Sequence, residues 1–157
     1  MIAAAANPRF TLDTNILVYS VDRTQGPRHE LSREIVGRAV HADCWLTLQA
    51  ISEFYSSVTR KRILLGSRAA ALADTWLAAF PCAVASGTAV RTALPASVAG
   101  NASYWDALLV ATAAEAGCGM VLTEDMADGT RLAGVEIHNP FAVSDELTGR
   151  TRALLGP

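Results

Sequence analysis

The chain has no run approaching the roughly 20 apolar residues that a membrane-spanning helix needs, and its longest alanine-rich helical stretch is interrupted by Asp106 and Glu115. It therefore reads as a soluble protein without a membrane partner. Its first residues, Met1-Ile2-Ala3-Ala4-Ala5-Ala6-Asn7, are small like a cleavage site but carry no basic region and no hydrophobic core of about 7 to 15 residues, so no secretory signal is expected. Cysteine is sparse and odd in number. Cys44, Cys82 and Cys118 are scattered among apolar neighbours, which excludes a zinc spacing and a disulfide framework and predicts buried free thiols in a reducing cytoplasm. His29, His41 and His138 form no ligand spacing. A strong net charge is also lacking. At −2 the overall field does not draw nucleic acid, so any such binding must rest on local patches. There are no internal repeats, low-complexity tracts or linkers.

What is present is apolar material in quantity: 51% of the 157 residues are hydrophobic, ample for one packed core. Arg9-Phe10-Thr11-Leu12 reads as a short strand that delivers Asp13 at its carboxyl end, the edge where open α/β sheets bind ligands. A helix is expected to follow from Thr14. Pro27 opens another, with Leu31, Ile35 and Ala39 at i+4 spacing. Cys44-Trp45-Leu46 is a strand candidate, and a helix with Leu48, Ile51, Tyr55 and Val58 on one stripe runs to about Arg62. Ser67 is expected to cap a helix carrying Leu72, Trp76 and Phe80, stopped by Pro81. Ala83-Val84 reads as a short strand and 87–100 as a helix weakened by Pro95. Ser103 starts an apolar helix to about Glu115, followed by a buried strand at Met120-Val121-Leu122 and a last strand at Val135-Glu136-Ile137. A loose helix is expected within 144–155. Strands and helices alternating at this rhythm predict a mainly parallel sheet covered on both faces.

Three carboxylates stand alone in long uncharged stretches: Asp13 between Arg9 and Asp22, Glu53 between Asp43 and Arg60, and Asp106 between Arg91 and Glu115. A fourth, Asp125, follows the 120–122 strand. An ionised carboxylate is costly to bury without a cation or several donors, and no Lys or Arg is near the first three in sequence. Each acid also has a bland explanation. Asp13 suits a helix cap, Glu53 shares its flank with Gln49, Ser52, Ser56 and Ser57, Asp106 stands three residues after Ser103 as in a capping box, and Asp125 suits a loop. Convergence of all four on one divalent cation explains them together, because Mg2+ and Mn2+ prefer oxygen ligands. A metal-dependent hydrolase is the leading expectation. Arg60-Lys61-Arg62, with Arg23 and Arg28, are candidates to steer a phosphate backbone to the cleft, against the reading that they are solvated helix-end charges. Tyr19, Tyr104 and Trp105 are candidate base-stacking groups, although Trp105 on so apolar a helix is expected in the core.

The segments Phe10-Thr11-Leu12-Asp13-Thr14-Asn15, Ser52-Glu53-Phe54-Tyr55, Ser103-Tyr104-Trp105-Asp106-Ala107 and Thr123-Glu124-Asp125-Met126-Ala127-Asp128-Gly129 occur in an order and spacing that resembles PIN-domain ribonucleases of the VapC toxin type. The resemblance covers residues 9–142, with 143–157 left as a tail or short helix. It implies a three-layer α/β/α fold in which Asp13, Glu53, Asp106 and Asp125 hold Mg2+ or Mn2+. Asn15 and Thr123 match supporting positions, Asp128 lies near a position where some relatives carry another acid, and Glu124 is expected to face solvent. It further implies hydrolysis of RNA by a metal-activated water, homodimerisation and control by a cognate antitoxin. Phosphatases of the haloacid-dehalogenase type also begin with a strand ending in Asp but need a second Asp two residues later, where this chain has Asn15. A catalytically silent PIN-like module that binds RNA or protein remains as the alternative class.

Overall fold

The computed structural model describes residues 5–157; the first four residues of the segment weighed as a signal sequence lie outside the described residues. Three short strands form the centre. β1 (Phe10–Leu12) pairs in parallel with β4 (Met120–Leu122), which pairs in parallel with β6 (Val135–His138). Every residue of β1 and β4 is buried, as expected where helices cover both faces of a parallel sheet. On the far side of β1, β2 (Leu46–Thr47) and β3 (Cys82–Ala83) form a second parallel pair, joined to the main sheet by the bridge between Phe10 and Cys44. The spatial order is thus β3-β2-β1-β4-β6, closed by a short antiparallel β5 (Arg131–Leu132) at the β6 edge. The chain moves outwards in one direction from β1 and then returns to build in the other, so the switch lies at the carboxyl ends of β1 and β4. In such sheets that is where ligands bind.

Among the described residues seven α-helices surround the sheet: α1 (Thr14–Tyr19), α2 (Pro27–Ala39), α3 (Leu48–Arg60), α4 (Gly66–Ala79), α5 (Gly87–Val98), α6 (Tyr104–Glu115) and α7 (Gly149–Leu155). Phe10, Leu12, Ile16, Leu17, Phe54, Leu109, Met120 and Leu122 are among the side chains fully enclosed in the main core. α6 is apolar nearly all round and is buried from Ala107 through Ala113. Its contact with α5 uses small residues, Ala89 and Ala93 against Ala107 and Ala111, which lets the two helices approach closely. α7 is anchored by buried Leu154 and Leu155 and packs against α2, so the terminal helix is not loose.

Several expected boundaries move for identifiable reasons. α3 ends at Arg60, because Arg62 adopts a left-handed conformation (φ 57°) and the Ile63 amide turns back to the Val58 carbonyl. Ser67 does not cap α4: the helix is already formed at Gly66, with the Leu65 carbonyl accepting from Ala69 and no side-chain cap. The second strand begins at Leu46, Cys44 contributing only the bridge to Phe10, and the third lies one residue earlier than expected. α5 stops at Val98, with Pro95 inside it. β5 and its hairpin were not expected at all. The turn is Ala133-Gly134, both at positive φ (50° and 77°), and it lacks the Asn-Gly or Asp-Gly signature of such turns. Cys44 and Cys118 are buried free thiols, whereas Cys82 is only half-buried. Burial pushes the Cys118 thiol up to about 12, which keeps it protonated and unreactive.

Candidate active site

Asp13 follows β1 directly and caps α1: its Oδ1 accepts from the Thr14 amide at 2.7 Å. The capping role and the cleft role coincide, since the same carboxylate lines a hollow of about 420 Å³ shared with Glu53, Asp106 and Asp125. Its second oxygen accepts from the Thr123 hydroxyl at 2.7 Å. Thr123, fully buried at the end of β4, in turn accepts from Asn15 Nδ2 (3.4 Å) and from the Asp125 amide (3.1 Å). One hydroxyl therefore ties together the residues that follow both central strands. Asn15 lies in the first turn of α1 and its Oδ1 is buried without a partner.

Glu53 reaches the hollow from α3. Its carboxylate accepts from Gln49 Nε2 (2.7 Å) and from the Thr14 hydroxyl (3.2 Å), so it is held rather than freely solvated. The Gln49 amide also donates to the Trp105 carbonyl at 2.9 Å, linking α3 to the start of α6. Asp106 lies in the first turn of α6, where its amide donates to the Ser103 hydroxyl at 3.2 Å. The cap is real, and the Asp106 carboxyl is half-buried in the hollow as well. Asp125 is exposed at the rim.

Asp13 is 6% exposed, and its pKa is raised to about 6. Burial is the main cause; the hydrogen bonds from Thr123 and Thr14 oppose it, and the charges of Asp106 and Asp125 add to it. Asp106 is also raised, first by burial and then by Asp125 and Glu53, against a lowering by Ser103. Asp13 thus feels the charges of Asp106 and Asp125, and Asp106 those of Asp125 and Glu53. Among the described residues, however, no three His, Cys, Asp or Glu side chains already stand close enough together to enclose an ion. The donor set is nevertheless of the kind a hard divalent cation takes: carboxylate oxygens, with the unpartnered Asn15 Oδ1 behind them.

The sequence matches the PIN domain family over residues 10–127. The chain belongs to the PIN-domain family. No curated protein shows significant sequence similarity to it. Among solved structures this PIN domain is similar to VapC20 of Mycobacterium tuberculosis, described as a toxin cleaving the sarcin-ricin loop, with 15% identity, 81% of this chain and 98% of that one covered, and a TM-score of 0.59. It is similar to the DNA-bound VapBC of Salmonella typhimurium, at 15% identity, 83% and 97% coverage and a TM-score of 0.60. A third similar structure is FitAB bound to a DNA fragment, at 20% identity, 83% and 94% coverage and a TM-score of 0.57. At such identities the likeness is one of fold.

Other side chains named from the sequence of the PIN domain fall into place unevenly. Arg60 and Lys61 line the acidic hollow, whereas Arg62 faces a neighbouring one. Asp128 stays out of the hollow and accepts from the Asn139 amide at 2.8 Å. Glu124 does not face solvent: it accepts from Arg28 (2.6 Å) and from the Tyr19 hydroxyl (3.1 Å). That pairing also removes Arg28 from the free cations. The Tyr19 hydroxyl is pushed up to about 12 by burial and by Glu124, which fixes it as a donor. Trp105 is 60% exposed instead of being in the core, because it sits in the first turn of α6, ahead of the buried span. Sequence reasoning did not single out Gln49 or Thr14 as partners of Glu53. Gln49 is one helical turn before Glu53, a spacing that was there to be read.

Proposed function

We propose that this PIN domain is a divalent-metal-dependent endoribonuclease and the toxin of a toxin-antitoxin pair. The observation that carries the reading is the convergence of Asp13, Glu53, Asp106 and Asp125 on one hollow at the carboxyl ends of β1 and β4, with basic residues at its edge. Asp13, Asp106 and Asp125 would hold Mg2+ or Mn2+, with Glu53 completing the set. When bound, such a cation supplies a hydroxide-like nucleophile at neutral pH and offsets charge developing on the phosphate.

The chain's own groups do the rest. Four neighbouring carboxylates repel a phosphodiester, and Arg60 and Lys61 at the same hollow counter that repulsion. Thr123 and the Thr14 amide fix both oxygens of Asp13, leaving that carboxylate one orientation. Gln49 and Thr14 do the same for Glu53. Glu53 reaches the hollow from α3 and Asp106 from α6, so the acids that would hold the cation come from four separate segments. Asn15 and Thr123 are positioning residues. Asp128, bonded to the Asn139 backbone, keeps at most an indirect role through its loop.

An antitoxin partner is supported by the likeness in fold to toxin-antitoxin complexes, and free cysteines fit a reducing cytoplasm. A homodimer, with RNA as substrate, completes the reading. The spread of the carboxylates favours one competing reading, a silent PIN-like module that binds RNA or protein without cutting it. The test is cleavage of a mixed RNA pool with Mg2+, with Mn2+ and with EDTA, beside Asp13→Asn. Metal-dependent cutting that vanishes in the variant is the expected result. Absence of cutting under either metal would sink the nuclease and leave the silent module.

A further inference from the structure

The acidic hollow does not end at Lys61. That residue also lines a second, larger hollow of about 1160 Å³ between the segment after α1 and the α3–α4 turn. Of the 13 Lys and Arg side chains, six form ion pairs with acids. Of the seven that form none among the described residues, five line these two hollows: Arg60 and Lys61 the first, and Arg23, Lys61, Arg62 and Arg68 the second. The other two, Arg91 and Arg152, line neither.

The acids in the second hollow cancel only part of this charge, since among the described residues one unpaired carboxylate, Asp22, faces four unpaired cations. Asp22 is turned inward and accepts from the Thr24 amide and hydroxyl and from Gln25 Nε2, and Glu30 is matched by Arg33. Arg23, Lys61, Arg62 and Arg68 are all exposed. Arg62 is held there by the left-handed turn that ends α3, a conformation that glycine would adopt at lower cost.

We infer that this second hollow is a track for the phosphate backbone of single-stranded RNA, taking the part of the strand that leaves the acidic site on the Lys61 side. The inference rests on the nuclease reading only for the identity of the strand. Four free cations can engage up to about four phosphates, and each phosphate neutralised on a single strand adds about 0.7 to the salt slope of binding. Affinity there comes from charge, so the track contributes reach without base selection.

The experiment is equilibrium binding of a fluorescein-labelled 12-nucleotide single-stranded RNA in EDTA, where no hydrolysis occurs, over a range of KCl. Wild type is compared with the triple variant Arg23→Gln, Arg62→Gln, Arg68→Gln and with Arg91→Gln, after thermal melts establish that all are folded. The expected result is a slope of log K against log[KCl] shallower by about 2 in the triple variant. Arg91→Gln should keep the wild-type slope. An unchanged slope in the triple variant overturns the track and leaves the hollow to an acidic segment of a protein partner. An equal change per charge in Arg91→Gln also overturns it, because the effect would then be one of overall charge. Metal-dependent cleavage with an unchanged slope refutes the track alone, and a lost slope without cleavage refutes the nuclease alone.

Discussion

Asp13 shows how a single residue is made costly by its place. With its folded pKa near 6 and an ordinary value of 3.8, the native state holds the Asp13 proton more tightly than the unfolded chain does. Its contribution is therefore most favourable at pH below 3.8, and it is lost as pH rises through 6. Asp13→Asn removes the charge but also one of two accepted hydrogen bonds. In EDTA at pH 7.5 the variant is expected to be more stable than wild type by about 2 kcal/mol, with the gain shrinking towards zero near pH 4. Urea melts at the two pH values measure this; a variant less stable at both would mean that capping of α1 dominates. Thr123→Val removes the hydroxyl that serves Asp13, Asn15 and Asp125, and about 2 kcal/mol of stability should go with it. The isolated acids were legible in the sequence because a charge among apolar residues needs an explanation. Glu124 was not, since its fate is decided by Arg28, 96 residues away, and Trp105 was not, since one turn of helix separates exposure from burial.

Elements were legible in proportion to their length and their caps. α2 and α6 begin where Pro27 and Ser103 announce them, and the i+4 stripe of α3 was sufficient to find it. Strands of two or three residues show no period, and this is why β2 and β3 shifted and β5 was missed. The β5–β6 hairpin carries a cost that the missed signal reveals. Ala133 is exposed at φ 50°, a left-handed position that Asn tolerates better than Ala. Ala133→Asn should stabilise the fold by about 0.5–1 kcal/mol, seen as a Tm higher by a few degrees. Ala133→Val should do the reverse, since a β-branched residue resists that conformation. At the α5–α6 contact the opposite logic holds. Ala111 is 3% exposed between helices that meet through alanines, so Ala111→Leu should cost about 1–3 kcal/mol by overpacking.

At the scale of the whole molecule, the alternation of strands and helices made a parallel α/β sheet legible, but not the order β3-β2-β1-β4-β6-β5, which depends on which side of β1 the chain returns to. That order decides the geometry of the acidic hollow, because it puts the segments that carry Asp13 and Asp125 at the carboxyl ends of neighbouring strands. The result is a molecule whose native state concentrates like charge in one hollow, with Asp13 and Asp106 both raised by burial and by their neighbours. A cation that binds this hollow and not the unfolded chain must stabilise the whole fold, by about 2.7 kcal/mol at 100 times its Kd. For a chain of this length that corresponds to a Tm rise of about 5–10 °C. Calorimetry with Mg2+ or Mn2+ at pH 7.5 should show the rise, and EDTA should abolish it. The raised pKa values set its pH dependence: protons compete for the same oxygens, so the gain should fall as pH drops below about 6. In Asp13→Asn and in Asp106→Asn the metal-induced rise should be small although both variants fold, since each lacks one negative donor. K+ at matched ionic strength separates a specific site from general screening. If K+ alone reproduced the rise, relief of repulsion by diffuse counterions would account for it and the acidic hollow would hold no metal.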